Sequence, residues 1–106
     1  MTADEVAEFE ASRVPPPPTL DDYRRAVDSH VDAVAQSRGY NNAVALASYF
    51  NSTVPDWAAE AGAFVPWRDA VWSQVFDALA TWQGGGEAPE SPAALVASLP
   101  AIEWPS

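Results

Sequence analysis

The chain has no cysteine and no lysine, and only one histidine. Without cysteine, disulfides, thiolate nucleophiles and zinc–thiolate sites are excluded, while compartment stays open. Positive charge is scarce: five arginines face fifteen acids, for a formal net charge of −10. Such a surface repels nucleic acid and anionic lipid, since both need cationic contacts. It favours solubility and suits a basic partner. No apolar run approaches the roughly 20 residues of a membrane span. The acidic start lacks a signal peptide's apolar stretch, so synthesis in a cytosol without export by that route is expected. No strand pattern of period two and no internal repeat is present.

What is there is apolar bulk. Apolar residues make up 48% of the 106, with five Trp, three Tyr and four Phe. One domain is expected at this length. It would bury roughly two thirds of the unfolded surface, a real but modest core. The acid excess sits largely on the flanks. Asp4, Glu5, Glu8 and Glu10 open the chain, and Glu87, Glu90 and Glu103 close it, whereas residues 13–83 carry a net of only −3.

The order of parts follows from punctuation and periodicity. Residues 1–18 read as an acidic arm and a polyproline spacer. Val6 and Phe9 would form a short apolar ridge if residues 3–12 coil, and Pro15–Pro18 forces an extended segment. Thr19 with Asp22 resembles a capping box. Leu20, Tyr23, Val27, Val31 and Val34 then recur at helical steps to about Arg38, where Gly39 stops the helix. Asn41 is expected to cap a second helix whose narrow face is Ala43, Leu46, Ala47 and Phe50. Asp56 is expected to cap the third and longest, running to Gln83, with Trp57, Phe64, Val71, Val75, Leu79 and Trp82 on one side. Pro66 interrupts it, and an unbroken apolar register favours a kink over a break near Val65. Gly84–Gly86 ends it. Ser91 and Pro92 open a last helix over about 92–99, and Pro100 leads into an extended tail, 101–106. The expected fold is all-α: a bundle of three to four helices over residues 19–100 with extended ends.

Arg68 is the sharpest anomaly. At about 100° per residue it falls within roughly 20° of the apolar stripe's centre. A buried guanidinium needs a carboxylate or several carbonyls. Asp28 and Asp32, one turn apart on the first helix, could supply them, or Arg68 could stack over Trp72. The plain reading is an ion pair locking two helices; the functional one is an interface arginine beside Trp67 and Trp72, since Trp and Arg dominate hot spots. Trp82, Trp104, Ile102 and Phe9 complete the interface or structural candidates. Trp104 either packs on its own domain or inserts into a partner.

Catalytic and ligand sites find little support. Asp28, Ser29 and His30 are neighbours on a helix and point in different directions, so they cannot align as a triad. His30 projects about 160° from Asp28 and from Asp32, which defeats a metal site. The three glycines lack a following Lys and a preceding strand, so they are no phosphate loop. Asn51-Ser52-Thr53 is a glycosylation sequon by letter and reads as a turn. No carboxylate pair is placed for acid–base work. No cofactor is expected.

Thr19-Leu20-Asp21-Asp22-Tyr23-Arg24, His30-Val31-Asp32, Arg38-Gly39-Tyr40, Ala47-Ser48-Tyr49, Asn51-Ser52-Thr53, Trp57-Ala58-Ala59-Glu60-Ala61, Phe64, Trp67–Trp72 and Leu99–Pro105 together resemble a family of small proteins, or C-terminal domains, from tailed bacteriophages and prophages. The resemblance covers about residues 19–105 and implies a product of the tail-gene region, often beside a tail-fibre gene. Pro66 and Gly84–Gly86 depart from the family pattern. The expectation is a non-enzymatic tail protein that binds the tail fibre or baseplate, as a virion component or a fibre-assembly chaperone. It would reside in the virion tail, or in the host cytoplasm during assembly. The alternative is an acidic DNA mimic that inhibits a host defence protein. Homo-oligomerisation is left open.

Overall fold

The computed structural model describes residues 17–105; the acidic arm, with Val6 and Phe9, lies outside the described residues. Thr19 begins the first helix, α1 (Leu20–Gln36), by a reciprocal cap. Its backbone N–H donates to Asp22 Oδ2 at 2.8 Å, and the Asp22 N–H donates to Thr19 Oγ1 at 3.2 Å. This satisfies donors that a helix start leaves unpaired. Tyr23, Val27, Val31 and Ala35, each four residues on, form the buried stripe. At the far end Tyr40 N–H reaches Ala35 O and Gly39 N–H reaches Gln36 O. That paired closure needs a left-handed residue, and Gly39 supplies it at φ 89°.

Asn42, not Asn41, caps α2 (Ala43–Ala47), accepting from the Ala45 N–H at 2.8 Å. Leu46 alone is buried there. Phe50 stays 50% exposed, because the helix ends at Ala47 and its period does not extend to residue 50.

The long helix α3 spans Pro55–Gln83 without a break, 29 residues, roughly 43 Å at the helical rise. Its cap position is Val54, without a side-chain cap, and Pro55 takes the first turn. Asp56 therefore sits inside the first turn rather than capping it, where its charge still suits the helix dipole. Pro66 lies on the exposed side, and the carbonyl it leaves unbonded belongs to Gly62, also exposed. Water can serve that carbonyl, so the proline does not break the helix. Ala61, Phe64, Trp67, Val71, Val75 and Leu79 form the buried face. Trp57, expected on it, is 46% exposed. Its place in the first turn lies beyond the core that α1 covers.

The glycines close α3 as Gly39 closes α1. Gly86 N–H bonds Thr81 O and Gly85 N–H bonds Trp82 O, with Gly85 at φ 97°. A Cβ on Gly86 would lie 2.7 Å from Thr81 Cγ2 and 2.8 Å from Thr81 O, so the chain turns back only with glycine there. Ser91 then caps α4 (Pro92–Ala97), which buries Leu95 and ends two residues earlier than expected.

Contacts fix the packing. Tyr23 meets Trp82, His30 meets Trp67, and Tyr40 meets Glu60, so α1 runs antiparallel to α3. α4 and α2 also pack on α1. The protein is a small all-α fold with no strand among the described residues. Its core anchors are Tyr23, Phe64 and Leu46, each contributing roughly 1.5–3 kcal/mol by burial.

Candidate functional site

Arg68 does not pair with Asp28 or Asp32. Its Nε and Nη2 donate to Asp69 Oδ1, the next residue, at 3.1 and 3.0 Å, on the exposed surface. Asp28 is exposed. Asp32 Oδ1 instead accepts the Ala43 N–H at 2.9 Å, holding the start of α2 against α1. Trp67 takes the buried position in this turn of α3, and the Arg68 guanidinium turns instead to Asp69 beside it. The helical angle alone, which puts Arg68 near the stripe's centre, does not decide between them; the packing does.

The remaining aromatic candidates divide into two groups. Trp67 is 8% exposed and its Nε1–H donates to Pro100 O at 2.8 Å. Trp82 packs edge-on against Tyr23, 5.5 Å between ring centres, and the Tyr23 hydroxyl donates to Pro89 O at 2.6 Å. Ile102 and Trp104 pack half-buried on the core. Trp72 is half-buried and stacks tilted on Phe76 at 5.6 Å, and Phe76 is 54% exposed.

The densest polar constellation lies where the ends of α1, α3 and the extended segment meet. The Arg38 guanidinium sits 4.7 Å over the Trp104 ring. Its Nε stands 3.7 Å from Glu60 Oε2, beyond hydrogen-bond reach. That buried oxygen has no hydrogen-bond partner, and the Tyr40 hydroxyl donates to the other at 3.3 Å. Burial, then the Glu60 carboxylate, pushes the Tyr40 phenol above its ordinary value, with Arg38 pulling the other way. A hollow of about 280 Å³ opens beside them, lined by Arg38, Asp56, Ala59, Glu60 and Pro105. From Tyr40 an aromatic series runs outward through Tyr49 (5.6 Å) to Trp57 (5.3 Å).

Sequence reasoning missed Arg38, Tyr40 and Glu60. A signal existed: Tyr40 directly follows the helix-stopping Gly39, where side chains fold back on the helix. Glu60 lies between Trp57 and Phe64 at helical spacing.

Chemically the cluster can hold and orient, using a cation on an aromatic face and a carboxylate. Among the described residues no three His, Asp or Glu side chains gather as metal ligands would. Among them, too, no helix is long and apolar enough to cross a membrane. No protein-family model matches the chain, and no curated protein or solved structure matches it.

Proposed function

We propose that this chain is a non-enzymatic bacteriophage tail protein that docks on the tail fibre or baseplate, as a virion component or an assembly chaperone. The observation that carries the docking reading is the apolar surface around α2 and the start of α3. Val44, Phe50 and Trp57 are 79%, 50% and 46% exposed within one short helix–turn–helix stretch. Exposed apolar groups that form one patch mark contact sites, and these three lie within one short stretch of the chain. The −10 charge selects a partner with a basic rim. The phage assignment rests on the residue resemblance over 19–105.

The DNA-mimic alternative has less in its favour. The Asp22 and Asp32 carboxylates accept from backbone N–H groups, and Asp21, Glu60 and Asp69 each face an arginine. Acids already paired with groups of their own chain are less free to serve as a phosphate-like array.

The test is co-expression with the tail-fibre and baseplate proteins of the same phage. A complex should form, and Phe50→Ser with Trp57→Ala should weaken it at least about tenfold while costing no more than about 2 kcal/mol of folding stability, part of it the lost Trp57 contact with Tyr49. Failure to form a complex, together with absence from purified virions, would reject the reading. Virion mass spectrometry separates a component, which persists, from a chaperone, which leaves.

A further inference from the structure

The hollow beside Arg38 and the exposed apolar corner join into one surface. Between Arg38 and Arg68 the chain carries only two charged side chains, Asp56 and Glu60. They stand four residues apart on α3, neighbours on a helix surface, and both line the hollow. Trp57 follows Asp56 and lies edge-on to Tyr49 at 5.3 Å. Tyr49 meets Tyr40 at 5.6 Å, and Tyr40 donates to Glu60. The aromatic series thus links the exposed Trp57 and Phe50 to the acids. Pro105 adds to the lining from the extended strap, residues 98–105, that follows α4.

The charge of what fits here follows from that lining. Two acids face one arginine, which leaves a negative excess. Arg38 does not bond Glu60: its Nε stops 3.7 Å away, and its guanidinium lies over Trp104. Among the described residues Glu60 has one hydrogen-bond donor, Tyr40 at a long 3.3 Å, and its other oxygen has none. Such a carboxylate is costly to leave without a partner. Asp56, fully open to solvent on its side of the hollow, makes no ion pair among the described residues. The N–H groups of the first turn of α3 oppose a cation, and Asp56, within that turn, offsets them.

We infer that the hollow is a socket for one cationic side chain of a docking partner, whose adjacent apolar residue lies on Trp57 and Phe50. The cation would bond the exposed Asp56 directly and act on the covered Glu60 oxygen through its charge. Arginine suits the socket best, because its planar fork bonds a carboxylate while its face stacks on an aromatic ring. This rests on the docking reading of the apolar corner and names the chemistry of the segment that enters it.

The probe is acetyl-leucyl-arginine amide, which carries a single charge, titrated into the whole chain while backbone and indole N–H signals are followed by NMR. The signals of residues 56–60 and the Trp57 indole should move and saturate. Asp56→Asn with Glu60→Gln should weaken the apparent affinity at least about fivefold, and so should replacing the arginine of the probe by citrulline, which has its shape without its charge. Should the double variant not fold, Asp56→Asn alone carries this arm, since its side chain is exposed. An equal response to the citrulline probe, or no saturable response at these signals, would overturn the socket. Equal movement around Asp69 and Asp77 would do so too, as the mark of diffuse attraction to an acidic surface. Tighter binding of acetyl-leucyl-glutamate amide would overturn it by showing an anion on Arg38. The docking reading is separable. A fibre or baseplate complex weakened by Phe50→Ser with Trp57→Ala, yet unchanged by Asp56→Asn with Glu60→Gln, keeps the docking and rejects the socket. A saturable socket in a chain that forms no such complex does the reverse.

Discussion

Two arginines in two regions behave in opposite ways. Arg68, in the middle of α3, stands out in the sequence because it interrupts an aromatic run. In the fold it salt-bridges its own neighbour Asp69 on the surface. Arg38, at the end of α1, attracts no notice in the sequence. In the fold it touches Trp104 of the strap and faces Glu60 of α3. A charged side chain matters by what surrounds it, and what surrounds Arg38 comes from residues far away in the chain.

That comparison can be broken by measurement. The largest effect belongs to Trp67, the inward half of the Trp67–Arg68 pair. Trp67→Ala should cost about 3–5 kcal/mol in denaturant unfolding by opening a cavity. Trp67→Phe should separate out roughly 1–2 kcal/mol for the lost bond to Pro100. Next comes the junction. Trp104→Ala should cost about 1–2 kcal/mol, and a double-mutant cycle with Arg38→Ala should show a coupling near 0.5 kcal/mol or more. The Arg38 share is discounted because its side chain is 41% exposed. Additivity between the two would remove the stacking from the account.

Smaller still is the pair of aspartates on α1. Asp32→Ala should cost about 1 kcal/mol, as loss of a cap does. Asp28→Ala and Arg68→Ala should each stay within about 0.5 kcal/mol of wild type. A large cost for Arg68→Ala would restore the buried ion pair that the fold denies.

The smallest effect is the pH response of Tyr40, whose phenol is raised above its ordinary value of 10.0 by burial and by Glu60. The folded state then keeps this proton to higher pH than the unfolded state. Stability present below pH 10.0 is lost as pH rises through the folded value. Tyr40→Phe should flatten that part of the stability profile and leave the neutral region unchanged. An identical alkaline slope in both proteins would refute the assignment.

Much of the architecture was legible because it is local chemistry. Thr19 with Asp22, Gly39, Gly84–Gly86 and Ser91 with Pro92 each announce a helix end by a bond or a backbone angle that their type favours. At α2 two adjacent asparagines, Asn41 and Asn42, could each cap, whereas at α3 the cap position falls on Val54 and leaves Asp56 inside the first turn. The first turn of the helix decided between Asn41 and Asn42. The proline after Val54 decided at α3.

The site was less legible. Periodicity says which residues share a face but not where a helix leaves the core, so Phe50 and Trp57 were placed inside and found outside. Helical angle alone places Arg68 near the stripe's centre, and only the packing shows Trp67 buried and Arg68 turned to Asp69. Arg38, Glu60 and Trp104 lie 22 and 44 residues apart along the chain, read from their numbers, and no local pattern links them.

The sequence by itself determined an acidic, all-helical chain, its helix boundaries to within a few residues, and the aromatic side chains available to its core. Those depend on backbone geometry and on apolar spacing, both written in short windows. Tertiary structure alone decided which tryptophan is buried, which arginine is engaged, and that the strap lies back on its own bundle. Those depend on how α1 and α3 meet, and that meeting is set by the whole core at once.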